Sequence, residues 1–366
     1  MNKIYNFSSG PAMLQPEVLK TAREEMLDYQ GTGMSVMELS SDSAPFKELI
    51  ASCEESLRTL MGIPQNYKVL FMQGGATSQF SAIPLNLLSS HKCADYVITG
   101  QHSKNAYLEA KKYGDIKIAA SYAGTTPIYS AIPELGSNDF RPDADYVHIC
   151  YNNTIYGTKF AKLPETGSIP LVVNMSSCIL SEPVDVSKCG VIYASVHGNI
   201  APAGMAIVII REDLLGKADE STPSAMNYKL IADSGSLLNT PPIWSIYMAK
   251  LNFDWILSVG GLDEMKRRNE RKASLLYDFL DAQQYFASTV SRRCRSMMNV
   301  VFVTGDASLD RKFVAEADAA GFKNLAGHKS VGGMRATLCN AMPAEGVEAL
   351  VDFMRQFALS NPKMCK

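Results

Sequence analysis

Seven short apolar runs punctuate the first 210 residues: 68–72, 95–99, 115–120, 145–150, 170–174, 191–195 and 204–210. Helical periodicity fills the intervals, as in "GGATSQFSAIPLNLL" and "SKNAYLEAKKYG". Runs of this length without polar alternation predict strands buried on both faces. Strands alternating with helices predict a mostly parallel sheet covered on both sides. Residues 15–30 and 44–62 read as amphipathic helices; in the second, Phe46, Leu49, Ile50, Cys53, Leu57 and Leu60 fall on one stripe. Beyond residue 240 the pattern changes. Residues 241–281 read as helical with a break at Gly260–Gly261. Strands at 298–303 and 332–339 and helices near 308–320 and 343–358 then predict a smaller α+β unit.

In open α/β sheets, ligands bind beyond the carboxyl ends of the strands. Site residues are therefore expected from 73–79, 100–104, 150–156, 174–178 and 196–200. Composition narrows the ligand classes. A formal net charge of −2 on 366 residues argues against nucleic acid or an anionic membrane as partner. No apolar run approaches the roughly 20 residues of a membrane span. The cysteines are scattered, with no C-x-x-C pair, so neither a metal site nor a disulfide framework is predicted. The opening "MNKIYNFSSGPAML" lacks the pattern of a secretory leader, and a reducing cytoplasm is the expected compartment. Cys365, in a polar tail, reads as incidental.

Three stretches carry candidate chemistry. In "FMQGGATSQF" a strand meets a helix through Gly74–Thr77, so small residues let backbone N–H groups at the helix start close on an anion. A plain tight turn would need the same residues. In "GHKSVGGMRAT", His328, Lys329 and Arg335 surround a glycine pair, and Arg335 suits either an anionic ligand or a solvated strand face. In "IYASVHGNIAPAG" a strand runs into His197, Gly198 and Asn199. Asn239 and Thr240, before two prolines, suffice as a helix cap.

Long ordered blocks, among them "NFSSGPAMLQPEVL", "YQGTGMSVMELS", "VIYASVHGNIAPAGMAIVIIREDLLGKA", "NTPPIWSIYM" and "GHKSVGGMRATLCNAMPAEGVEAL", resemble the phosphoserine aminotransferase family almost from end to end. The resemblance implies the fold-type-I, class V aminotransferase architecture of pyridoxal-phosphate enzymes. It places a large domain at 15–258 with a mostly parallel, seven-stranded-type sheet, and a small α+β domain from 1–14 and 259–366. It also implies a homodimer with sites shared between subunits. Ser9, Ala76, Thr77, His102, Thr154, Asn174, His197, Asn239 and Thr240 fall at its cofactor positions, and Ser41, Asp42, His328, Lys329 and Arg335 at its substrate positions.

Several of these positions depart from the family pattern. Gly198 matches the lysine that forms the Schiff base and shuttles a proton, and glycine supplies no amine. Asn174 matches the aspartate that pairs with the pyridinium nitrogen. His102 replaces a stacking tryptophan, and His197 a glutamine. Ser41-Asp42 replaces a His-Arg pair, and Lys329 replaces an arginine. Together these departures predict a divergent member with a degenerate site. The expectation is a pseudoenzyme or dimeric partner protein without transamination and with no covalently bound cofactor. Pyridoxal or pyridoxamine phosphate, or phosphate alone, would be held non-covalently, and a protein partner or a small phosphorylated ligand would bind. One alternative is cofactor-independent chemistry in the old pocket on a phosphorylated metabolite, nucleotide or acyl donor, with Asp42, His102 and His197 as acid/base groups. Another is residual phosphoserine:2-oxoglutarate aminotransferase activity of serine biosynthesis.

Overall fold

The structure, a computed structural model, describes residues 4–363; Cys365 lies outside the described residues. The chain opens with β1 (Tyr5–Asn6) and α1 (Pro16–Glu24). Proline at the first turn of α1 suits a position whose N–H would go unpaired anyway. The helix stops well short of the expected residue 30. Gln30, Gly31 and Gly33 take positive φ, and Tyr29 N–H donates to Met34 O at 2.8 Å, so this segment closes a turn instead. Helix α2 (Ala44–Met61) is capped by Ser43, whose side chain accepts from Phe46 N–H, and ends at Gly62 in the left-handed region.

The large sheet follows the apolar runs. Its strands are β2 (Tyr67–Gly74), β3 (Cys93–Ile98), β4 (Asp115–Ser121), β5 (Tyr146–Cys150), β8 (Leu171–Asn174), β9 (Val191–Ser195) and β10 (Gly204–Arg211), and the hairpin β6 (Asn152–Asn153) and β7 (Thr158–Lys159) follows β5. The order across the sheet is β2-β10-β9-β8-β5-β3-β4. Only β10 pairs antiparallel, with β2 and β9; the other pairings are parallel. Both faces are buried. Val69, Phe71, Ile192, Val173 and Ile149 pack on one side with Phe46 and Leu57 of α2. Their neighbours Leu70, Met72, Tyr193, Val172 and Tyr146 pack on the other with α3 (Ala76–Leu87) and α4 (Gln101–Ala110). Covering both faces removes any need for polar alternation, which is why these strands read as continuous apolar runs.

After α5 (Tyr228–Asp233) come α6 (Ile243–Ser258) and α7 (Gly261–Ala282), broken at Gly260, where φ is 114°. Asn239 and Thr240 do not cap α6. Pro242 occupies the N-cap position with no side-chain cap, and Asn239 and Thr240 contact Gln73 instead. The C-terminal part holds β11 (Ala287–Ser288), β12 (Asn299–Val303), α8 (Ala307–Ala319), β13 (Phe322–Lys323), β14 (Met334–Thr337) and α9 (Ala344–Ser360). Strand β14 is shorter than expected because Gly332 and Gly333, with φ of 77° and 64°, form the turn before it. Strands β11, β12 and β14 form an antiparallel sheet beside the aromatic cluster of Phe286, Phe302, Phe313 and Phe357. Strand β1 pairs in parallel with β13, which binds the N-terminal segment to the C-terminal third. Among the described residues no helix is long and apolar enough to cross a membrane, and the seven described cysteines are buried and free.

Candidate active site

The carboxyl ends of β2, β3, β5, β8 and β9 lie on one edge of the sheet, together with the start of β10. A cavity of about 410 Å³ opens there. Ser9, Ala76, Thr77, His102, Thr154, Asn174, His197, Gly198, His328 and Arg335 line it, as the strand-end argument predicts. The other candidates do not line it. Asp42, Asn239, Thr240 and Lys329 are exposed and Ser41 is half-buried.

One wall is the start of α3. Gly75 stands at its N-cap, the Ser78 hydroxyl donates to Gly75 O at 2.7 Å and fixes the first turn, and Ala76 and Thr77 of that turn line the cavity, where a helix start favours an anion. The floor is a chain of hydrogen bonds from β8 to β9. Asn174 Oδ1 accepts from Ser176 N–H at 3.0 Å and from Ser176 Oγ–H at 2.7 Å. Ser195 N–H donates to Ser176 Oγ at 3.0 Å, and Ser195 Oγ lies 2.5 Å from His197 Nδ1. Residues 196–198 form a single 3₁₀ turn. Asn199 locks its exit, donating from Nδ2 to Ile179 O at 2.7 Å and accepting from Asn340 N–H at 2.8 Å.

The electrostatics are cationic. Among the described residues no carboxylate lines the cavity, whereas His102, His197, His328 and Arg335 do. Burial lowers the pKa of His102, with further lowering from His328, Arg335 and His197. Burial alone lowers that of His197. Arg335 also lies below its ordinary value through burial, and its Nε is buried without a hydrogen-bond partner. An unpaired guanidinium edge of this kind suits an anionic ligand. Among the described residues no group of three or more His, Cys, Asp or Glu is placed to hold a metal ion.

The residues at the inner end fit a phosphate: small side chains, hydroxyls and a helix start. Residue 198 is different. Gly198 has no side chain, and a Cβ there would stand 2.6 Å from the carbonyl oxygen of Ser176. Ser195 and Gly10 are site residues that the sequence reading missed; Ser176 lies within the expected 174–178 stretch but carried no signal of its own. Ser195 carried one signal, its place at the last position of a strand. Gly10 carried none, because its role is to clear space for His197 from far along the chain.

The family described as Aminotransferase class-V matches residues 4–350. The chain belongs to that family. A phosphoserine aminotransferase of Aromatoleum aromaticum is 48% identical over 367 residues, covering 99% of this chain and all of the relative. A phosphoserine aminotransferase solved in a study of radiation damage to its Schiff base superposes with a TM-score of 0.95 at 40% identity, covering 99% of this chain and 100% of that one. A phosphoserine aminotransferase of Trichomonas vaginalis, solved with pyridoxal phosphate bound, gives 0.89 at 36% identity, covering 96% and 100%.

These likenesses place the fold as a fold-type-I aminotransferase with a mostly parallel central sheet, and they correct two expectations. A pseudoenzyme or scaffold protein is overturned by near-complete coverage at 48% identity of a curated phosphoserine aminotransferase. The expectation of no covalently bound cofactor, with its degenerate site, is overturned by relatives solved with a Schiff base and with pyridoxal phosphate. The aminotransferase alternative fits these findings better than the scaffold reading.

Proposed function

We propose that this chain is an aminotransferase that exchanges an amino group between phosphoserine and 2-oxoglutarate in serine biosynthesis, with pyridoxal phosphate as cofactor. The observation that carries the reading is the carboxylate-free cavity at the strand ends, with a helix start on one wall and Arg335 on another, in a chain matched from end to end by phosphoserine aminotransferases. When bound, pyridoxal phosphate supplies an electron sink that acidifies the substrate's α C–H bond.

The chain's own residues divide the remaining work. The N–H groups of Ala76 and Thr77, with the Thr77 hydroxyl, would hold the cofactor phosphate. Asn174, its Oδ1 engaged by Ser176, would be a neutral partner for the cofactor's ring nitrogen, and His102 would offer a ring to stack on it. His328 and Arg335 hold the anionic groups of the substrate. Gly198 contributes no amine to the cavity. Ser41, Asp42, Asn239, Thr240 and Lys329 lie off the cavity of their own chain, which favours a homodimer whose sites are completed across the interface. We also place the division between the domains at 15–258 against 1–14 and 259–366, and the β1–β13 pairing supports it.

Purified protein loaded with pyridoxal phosphate is expected to convert glutamate and 3-phosphohydroxypyruvate into equal amounts of 2-oxoglutarate and phosphoserine, and to restore growth of a serine-requiring strain. Product formation no faster than with free cofactor, together with failure to complement, would overturn the reading.

A further inference from the structure

The stretch 266–272 reads "KRRNERK", five basic residues in seven on a chain of formal net charge −2. It lies in the first half of α7. A cavity of about 420 Å³ opens there, between α7, the end of α6, the first turn of α9 and the segment before α1. It shares no lining residue with the strand-end cavity. Three features of its lining favour an anion. Lys272 is 2% exposed, yet its ammonium donates only to backbone carbonyls, those of Cys339 at 2.7 Å and Leu338 at 3.4 Å. Among the described residues no carboxylate pairs with it, and the charge beside it is that of Arg268. A buried cation without a counter-charge is costly, and an anion offsets that cost. Arg268 meets Glu264 through Nε alone, at 2.7 Å, so its terminal nitrogens are free for a two-pronged contact. Helix α9, 17 residues long, starts at Pro343 with no side-chain cap, and Ala344 of its first turn lines the cavity. The acidic residues of the lining do not supply the missing charge. Glu264 is engaged by Arg267 and Arg268, and Glu17 and Glu345 are exposed.

We propose that this cleft is a second ligand site, which takes a phosphate group, free or carried by a small phosphorylated acid, between Lys272, Arg268 and the first turn of α9. Ammonium, guanidinium and helix start together offer donors to several oxygens of one tetrahedral group. Arg271 also lines the cavity and meets Glu348 only at 3.4 Å, so it can take a carboxylate carried by the same ligand. The site stands apart from the chemistry of the strand-end cavity and does not rest on the aminotransferase reading. Its affinity depends on the charge of Lys272. Burial pushes the pKa of that residue down to about 8, with Arg268 adding to the fall and the Cys339 thiol opposing it. Below pH 8 the ammonium is present and attracts the anion; above it the neutral amine does not. A bound dianion favours the charged form, so binding near pH 8 takes up a proton.

Trp255 lines the cavity and Trp244, the other tryptophan, does not, so the emission of a full-length Trp244→Phe protein reports this site. Sulfate, a dianion across the working range, is expected to change that emission saturably at pH 7. Arg268→Gln and Lys272→Met should each raise the apparent Kd about tenfold or more, whereas Arg335→Gln, in the strand-end cavity, should leave it within about twofold. Between pH 7 and 9 the affinity should fall about tenfold, in step with the ammonium population of a group titrating near 8, and Lys272→Met should abolish that slope. Inorganic phosphate and 2-phosphoglycolate then separate the two sources. Tighter binding of phosphoglycolate, lost in Arg271→Gln, assigns a phosphorylated acid, and equal affinities assign free phosphate. In crystals soaked with selenate, an anomalous peak is expected between Lys272 and the start of α9. A flat titration, or a response that Arg268→Gln and Lys272→Met leave unchanged, overturns the proposal. Should Lys272→Met fail to fold, an unchanged Kd in Arg268→Gln together with no selenate peak in the cleft overturns it equally.

Discussion

The carbonyl oxygen of Ser176 stands 2.6 Å from the point a Cβ would occupy at residue 198, closer than real contacts of that kind come. Gly198 lies outside the left-handed region, so its requirement for glycine is steric, and the obstacle is backbone rather than a flexible side chain. Gly198→Ala is therefore expected to destabilise the protein by roughly 1–3 kcal/mol, read from urea denaturation. An unchanged midpoint would show that the turn relaxes freely. Gly198→Lys carries the same Cβ and must move the 176 carbonyl before its amine can reach anything. In the sequence, Gly198 reads as a permissive turn residue, because the carbonyl that excludes a side chain comes from a different strand end. Gly10 is illegible for the same reason: a glycine that makes room for the His197 ring leaves no local pattern.

At the scale of elements, the strands were legible because most are short, largely apolar runs, and the runs between 68 and 210 fall on the observed strands to within a residue or two. What the runs conceal is polar chemistry inside them. His148, in the middle of β5, is fully buried, stacked on Tyr96 with centroids 4.6 Å apart, and its Nε2 lies 2.8 Å from Tyr193 Oη. Desolvation lowers its pKa from 6.5 to about 3. Below pH 6.5 the unfolded chain binds a proton at this residue and the folded chain does not, so stability is full above that value and falls as pH drops toward 3. The loss is about 1.4 kcal/mol per pH unit, on the order of 5 kcal/mol over the window. His148→Gln, which keeps a partner for Tyr193 and cannot be protonated, is expected to flatten the dependence of unfolding free energy on pH between 6 and 4 by that slope. A parallel curve for the variant would mean that other groups set the acid limb. Helix ends were read less well than strands. The end of α1 depends on Gln30, Gly31 and Gly33 adopting positive φ together, and apolar periodicity carries no trace of that choice.

Across the whole molecule, the active-site turn and the C-terminal part are joined by buried asparagines rather than by apolar packing alone. Asn340, which follows β14, donates its backbone N–H to Asn199 Oδ1 and its Nδ2 to Leu180 O, both at 2.8 Å. Its Oδ1 accepts from Asn269 of α7 at 2.8 Å, and its carbonyl from Gln15 Nε2 at 3.2 Å. One side chain therefore spans the loop after β8, and its backbone reaches the exit of the 196–198 turn and the segment before α1. Asn340→Ala leaves the backbone bond to Asn199 in place but removes the partner of Leu180 O and one of the two acceptors of Asn269, in a region closed to water. A buried polar group left unpaired costs about 1–3 kcal/mol, which sets the expected destabilisation at roughly 2–4 kcal/mol. The distribution of the effect is the sharper test. If this network couples the turn to the C-terminal part, amide hydrogen exchange should quicken in residues 178–182, in the 196–200 turn and along α7 together, since these segments share one opening event. Quickened exchange confined to the residues flanking 340 would show that the turn is held by its own strand ends and that the asparagines contribute only local stability.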